Sequence, residues 1–221
     1  MQSRPRGEVV KVDILTVGPF AMNAMIVYSE ASKRGILIDP GDEIERILSR
    51  VKELDLAIEA IVFTHGHIDH VAHAEVARTE LGVPTYLHRD DWQMAEAVPQ
   101  QAMMFGLPPC PVVQIDNELP GEGEFEIAGL KFELFHTPGH SPGSVTLLSK
   151  EHKICLVGDL VFAGSVGRTD LPGCSPQALN DSIKNHILPM DDDIVLYPGH
   201  GPTTTVGQER SSNPFLSALA V

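Results

Sequence analysis

Basic residues are scarce in this chain: 16 Lys and Arg stand against 30 Asp and Glu, a formal charge of −14. A surface that acidic repels a phosphate backbone, and the cations are scattered singly rather than gathered in a stripe, so no nucleic-acid partner is expected. Long apolar runs are missing as well. None approaches the ~18–20 residues that cross a bilayer, so no membrane association is expected. The segment Met1 to Arg6 carries basic side chains with no apolar stretch behind it, because Lys11 and Asp13 interrupt Val9–Val17. That is not the pattern of a secretory signal. Cysteine is limited to Cys110, Cys155 and Cys174, an odd number without paired spacing. It supplies no disulfide framework and suits a reducing compartment, so the cytoplasm is the expected location. Repeats, low-complexity tracts and linkers are absent too. Residues 1–221 therefore read as one domain with a substantial core.

What is present is an alternation of short apolar runs and turn signals. Val9–Val17, Ala24–Tyr28 and Ile36–Ile38 read as strands, the last stopped by Asp39-Pro40-Gly41. Asp42 to Leu54 has helical period, with Ile44, Ile47, Leu48, Val51 and Leu54 on one face. A short strand at Ala60–Phe63 precedes a helix from Asp69 to Leu81, closed by Gly82 and Pro84. Another strand at Pro84–Leu87 and a short helix from Arg89 to Val98 follow. Pro99 to Gly123, rich in Pro and Gly, reads as a long surface excursion. Strands are then expected near Phe125–Ile127, Leu130–Phe135, Ser144–Ser149, Lys153–Val157 and Ile194–Tyr197. A helix spans Ser175–Leu188, with Pro176 in its first turn, and a helical piece covers Gln208–Leu219. Two clusters of strands, each flanked by helices, favour two packed sheets with helices outside.

The chemistry concentrates in Thr64-His65-Gly66-His67-Ile68-Asp69-His70, directly after the apolar strand Ile61-Val62-Phe63. Residues two apart in extended chain point the same way, so His65 and His67 can grip one ion. Asp69 and His70, at the start of the following helix, can turn toward a second. The arrangement recurs along the chain. Apolar strands run into His136-Thr137-Pro138-Gly139-His140, into Gly158-Asp159 and into Pro198-Gly199-His200. Each stops at a Gly-containing turn and delivers one more possible ligand. Imidazole and carboxylate suit zinc, iron or manganese alike. Ligands from several strand ends meeting at one point are a far more specific signal than any one motif.

These motifs resemble those of the metallo-β-lactamase superfamily, most closely its glyoxalase II (hydroxyacylglutathione hydrolase) branch, across nearly the whole chain. The resemblance implies an α/β fold, a four-layer αββα sandwich. It also implies two divalent ions, zinc first, with iron or manganese possible. His65, His67 and His140 would hold one ion, Asp69, His70 and His200 the other, and Asp159 would bridge them. Asp69 and Arg168 are the candidate catalytic residues, Arg168 lying in Gly167-Arg168-Thr169-Asp170 and placed to orient a carboxylate or order the metal site. A surface ion pair with Asp170 is the competing reading for that arginine. The implied reaction is attack of a metal-activated hydroxide on a small-molecule acyl thioester, S-D-lactoylglutathione or a relative, with an easily expelled thiolate. The stretch after His200 is too short for the helical glutathione-binding domain that many glyoxalase II enzymes carry, so the short form of that enzyme is expected.

Other readings stand beside this one. A persulfide dioxygenase of the same superfamily shares the Gly-Arg-Thr-Asp element, but Val166 replaces the cysteine usual before it. A β-lactamase is disfavoured by Asp159, where many such enzymes have cysteine, and ribonuclease-type relatives lack a basic surface here. A non-catalytic structural site would favour four closed ligands and cysteine. Thr64 and Ser141 are expected to support the ligand loops. His73 is expected to be a partly exposed helix histidine, and Met94, Met103, Met104 and Phe105 an ordinary apolar contact set.

Overall fold

The computed structural model describes residues 9–219. The basic segment Met1 to Arg6, in which no secretory signal is expected, lies outside the described residues. The first sheet contains β1 (Val10–Val17), β2 (Met22–Ser29), β3 (Arg34–Ile38), β4 (Ala57–Val62), β5 (Thr85–Leu87) and β6 (Asn117–Glu118), side by side in that order. β1, β2 and β3 are antiparallel neighbours, whereas β3 to β6 run parallel. The second sheet is built from β7 (Gly123–Ile127), β8 (Leu130–His136), β9 (Val145–Ser149), β10 (Ile154–Gly158), β13 (Val195–Pro198) and β14 (Thr204–Thr205), ordered β14-β13-β10-β9-β8-β7. A small hairpin of β11 (Val161–Phe162) and β12 (Ser165–Val166) stands apart.

Alternation along the strands explains the layers. In β2, Met25 and Val27 face the second sheet's Leu134, Leu147 and Leu156, while Ala24, Ile26 and Tyr28 face helices. Both faces are covered, which is why β2 is buried from end to end. On the outer side of the first sheet lies α1 (Ile44–Glu53), whose Ile44, Ile47, Leu48 and Val51 form one apolar stripe. Against the same side pack α2 (Ile68–Val71), α3 (Ala74–Leu81) and, beyond α4 (Trp92–Glu96), α5 (Val98–Phe105). The second sheet is covered by α6 (Pro176–Ser182) with the π-helical turn Ile183–Ile187, and by α7 (Val206–Ser212) and α8 (Pro214–Leu219), through Leu179, Ile183, Val206 and Leu216. Helix, sheet, sheet, helix: this is the expected αββα sandwich.

Two expectations need correction. The helix drawn from Asp69 to Leu81 is broken at His73, because the carbonyl of Gly41 takes the His73 amide at 3.0 Å. The loop can come that close only with glycine there, since a Cβ on Gly41 would lie 1.8 Å from the Asp69 carbonyl oxygen. The segment from Pro99 to Gly123 is not a surface excursion. It holds most of α5 and all of β6, and it buries Ala102, Cys110, Val113 and Leu119. Its irregular spacing hides these core positions from any periodicity. Conversely, α5 turns Val98 and Ala102 inward and leaves Met103, Met104 and Phe105 between 63% and 86% exposed, so these three are not the packed set expected.

One joint between the sheets bears on function. Asn23 of β2 is buried, and its side-chain amide donates to the carbonyls of Pro198 (3.1 Å) and Gly201 (2.8 Å), on either side of His200. Its own amide donates to the Gly199 carbonyl at 2.7 Å. Asn23→Ala would leave the buried Pro198 contact and the partly buried Gly201 contact unmade, and we expect a loss of about 1–3 kcal/mol. The check is a lower urea midpoint at unchanged slope.

Candidate metal centre

Five strand ends face one another where the edges of the two sheets meet. β3 ends into Asp39, β4 into Phe63-Thr64-His65, β8 into the loop that carries His140, β10 into Asp159, and β13 into Gly199-His200. β3 and β4 run parallel, as do β10 and β13, so their exits fall on the same side. A backbone bond from Val145 to the Thr64 carbonyl (2.9 Å) stitches the two edges together.

His65, His67, Asp69, His70, His140, Asp159 and His200 all meet here. Possible ligand atoms of His65, His67 and His140 lie within 4.8 Å of one another, as do those of Asp69, His70 and His200. Asp159 lies between the groups, with Oδ2 3.4 Å from His140 Nε2 and 3.5 Å from His200 Nε2, and Oδ1 3.6 Å from His70 Nε2. Most of these side chains are closed off from water; Asp69 and His200 form the more open side. Gly199 admits the convergence, because a Cβ there would sit 2.2 Å from Asp159 Oδ1.

The far sides of three imidazoles are already engaged. His70 Nδ1 meets Asp39 Oδ2 at 2.9 Å, His140 Nδ1 meets the Arg168 carbonyl at 2.9 Å, and His200 Nδ1 meets the Phe20 carbonyl at 3.1 Å. Each carbonyl or carboxylate calls for a proton on the nitrogen it faces, which leaves the other nitrogen's lone pair aimed into the cluster. Three buried atoms in the cluster, His65 Nε2, His70 Nε2 and Asp159 Oδ1, have no hydrogen-bond partner. Buried polar atoms are rarely left so, and unpaired imidazole nitrogens beside carboxylate oxygens are what a borderline cation accepts. The residues fit a metal.

The electrostatics agree. Burial, reinforced by His140 and His70, holds the His67 imidazole down at about 3, and burial among neighbouring histidines pushes His65 down as well. Both are neutral at pH 7, as ligands must be. Burial alone would lower His70 too, but the carboxylates of Asp69, Asp39 and Asp159 override it and raise it to about 10. Asp69 is kept far below the usual carboxylate range: burial works against this, and His70 with His200 outweigh it. Burial raises Asp159 despite its three histidine neighbours. Without an ion, then, a proton on His70 balances the carboxylates, and a bound cation would take over that proton's role.

The model of the metallo-β-lactamase superfamily matches residues 17–209. The chain belongs to the metallo-β-lactamase superfamily. It is 38% identical over 211 residues to hydroxyacylglutathione hydrolase GloC of Haemophilus influenzae, covering 95% of this chain and 99% of that one. Among solved structures, TTHA1623 in a di-iron-bound form is 39% identical, with TM-score 0.84, over 93% of this chain and all of that one. The BLEG-1 B3 metallo-β-lactamase is 35% identical, with TM-score 0.88, over 94% of this chain and all of that one. The chain is thus a member of a metallo-hydrolase superfamily with a metal-binding cluster of His and Asp.

The Arg168 side chain is well exposed and pairs with Asp170 (Nε to Oδ1, 2.7 Å; Nη2 to Oδ2, 2.9 Å), while only its carbonyl reaches the cluster. His73 is half-buried, and its amide, not its ring, marks the end of α2. Two residues that matter were not singled out. Asp39 is fully buried and accepts from the Thr64 amide (2.7 Å) and hydroxyl (2.6 Å) besides facing His70. Its position after Ile36-Leu37-Ile38 repeats the pattern of a strand that delivers one polar residue, which is the signal that could have found it. Asp91, also fully buried, accepts from the Gly66 amide (2.8 Å), the Ser141 hydroxyl (2.6 Å) and the Gly143 amide (2.6 Å). It ties the loop of His65 and His67 to the loop of His140. Ser141 supports a ligand loop, as expected of it.

Asp39→Asn and Asp91→Asn remove no member of the cluster. Each puts an amide where donors already point, and we expect metal affinity to fall about 10–100-fold. Competition with a chromophoric chelator checks this. Unchanged affinity in both variants would mean that the ligand loops hold themselves.

Proposed function

We propose that this protein is a binuclear metallo-hydrolase that cleaves acyl thioesters. The observation that carries the reading is the set of buried, unpartnered ligand atoms on His65, His70 and Asp159 inside a ring of four further ligands. His65, His67 and His140 would hold one ion, Asp69, His70 and His200 the second, with Asp159 shared between them. Zinc is the first choice by donor set. Iron has support from the di-iron form of the 39% identical TTHA1623, and manganese accepts the same donors.

When bound, such ions lower the pKa of water toward neutrality and polarise an acyl carbonyl. The chain's own residues supply order. Asp39, the Arg168 carbonyl and the Phe20 carbonyl fix which nitrogens of His70, His140 and His200 point inward. Asp69, on the open side, orients the attacking water. Water adds to the acyl carbon, the carbon–sulfur bond breaks, and a carboxylate and a thiol leave. A thiolate departs without a strong general acid, and no exposed acid beside Asp69 is required for one. The name of the Haemophilus relative supports a hydroxyacylglutathione thioester, S-D-lactoylglutathione, as the first substrate to try.

A second reading has one observation in its favour: the 35% identical BLEG-1 carries the name of a B3 metallo-β-lactamase. The same centre attacking a strained amide would open a β-lactam, and nitrocefin tests that directly.

The decisive assay compares protein as purified, chelator-treated, and restored with Zn²⁺, Fe²⁺ or Mn²⁺, on lactoylglutathione and nitrocefin. We expect thioester turnover that vanishes with chelation and returns with metal. Restoration should also raise Tm, since binding at about 100 times Kd adds about 2.7 kcal/mol to the folded state. Metal-independent turnover, or none on any thioester, would refute the reading.

A further inference from the structure

Beside the centre lies a cleft of about 180 Å³ between the β1–β2 turn and the segment that follows α5. Phe20 and Met22 form one wall, Ala102, Leu107 and Cys110 the other, and Ile68 belongs to the lining as well. Asp69 belongs to both the cleft and the cluster. The first wall is fastened to the centre in two further ways. The Phe20 carbonyl meets His200 Nδ1 at 3.1 Å, and Met22 pairs with His200 across an isolated β-bridge. An occupant of the cleft therefore lies against Asp69, the member of the cluster that lines it.

Size and charge limit the occupant. Sites that enclose a drug-sized molecule run to about 300–1,000 Å³, so this cleft takes a fragment of a substrate and not the whole. Its charged lining is acidic, Asp42 and Asp69, and no Lys or Arg contributes. A glutathione tripeptide, itself an anion, meets no cation here. An uncharged aliphatic chain meets apolar side chains on opposite sides, and each methylene withdrawn from water gains about 0.8 kcal/mol.

We propose that this cleft is the acyl subsite. It receives the aliphatic acyl chain of a thioester, leaves the thiol portion outside, and favours short apolar acyl groups over the hydroxylated lactoyl group. This rests on the thioesterase reading and narrows its substrate class. Selection then comes from the side chains of Phe20 and Leu107, neither of which is among the candidate ligands, Phe20 touching the centre only through its backbone carbonyl.

Two series on one carrier test it. Non-hydrolysable dethia analogues of glutathione thioesters, with acyl chains from two to six carbons, are titrated calorimetrically into the metal-loaded protein. The matching thioesters, with lactoylglutathione among them, are assayed for kcat/KM. We expect Kd to tighten about fourfold per methylene until the cleft is full. We expect kcat/KM to follow the same slope, with butyryl above lactoyl. Leu107→Trp, which fills the cleft, should flatten the slope. Phe20→Ala, at a partly exposed position that tolerates truncation, should reduce it by removing one wall. Flat chain-length dependence with lactoylglutathione still hydrolysed overturns the acyl subsite and leaves the thioesterase reading standing. Turnover of no thioester removes that reading and the subsite with it.

Discussion

Two buried carboxylates that belong to neither ligand group hold the centre in shape. Asp39 gathers the Thr64 amide and hydroxyl and His70, and Asp91 gathers the Gly66 amide, the Ser141 hydroxyl and the Gly143 amide. Burying a carboxylate costs several kcal/mol unless donors surround it. Here each finds three contacts at 2.9 Å or less, in the range of charge-assisted bonds. The loops that carry His65, His67, His70 and His140 are thereby fixed by bonds that owe nothing to an ion. Those bonds tie the loops that carry the candidate ligands to one another across the two sheets.

That rigidity has an electrostatic cost, and the cluster shows how it is met. Asp69 and Asp159 are held near each other and near His70, which keeps a proton well above its ordinary range because carboxylates crowd it. His65 and His67 stay neutral for the opposite reason, buried beside other imidazoles. Charge is therefore divided within the cluster: His65 and His67 are neutral, while His70 holds its proton among carboxylates. A cation placed there would meet the same carboxylates that hold the proton on His70.

Much of this was legible in the residues themselves. Strands that end in Gly-containing turns announce where the chain can approach an ion, and the seven His and Asp residues at those ends do come together. Period-2 and helical patterns located most strands and α1. Other parts were illegible for physical reasons. Asp91 is 25 residues from Gly66 and 50 from Ser141, so no local pattern links it to what it holds. The break at His73 depends on Gly41, a tertiary contact outside the helix's own sequence. Arg168 invites a role for its guanidinium, yet its carbonyl makes the useful contact. Ala102, Cys110, Val113 and Leu119 are core residues without periodic spacing, and a Pro- and Gly-rich segment conceals them.

That concealed segment sets a division of labour. The centre is assembled from strand ends whose positions the two sheets dictate, so its seven His and Asp side chains are hard to move without disturbing the fold. On the proposed reading it would act on a carbonyl. Discrimination between substrates must then come from surfaces that can change without disturbing the sheets, and functions are grafted on folds at such places. Here those surfaces are the turn at Phe20 and the irregular stretch from Ala102 to Cys110, which line the apolar cleft that adjoins Asp69. The least regular part of the chain is therefore where selectivity has room to reside, while the most regular part fixes the reaction.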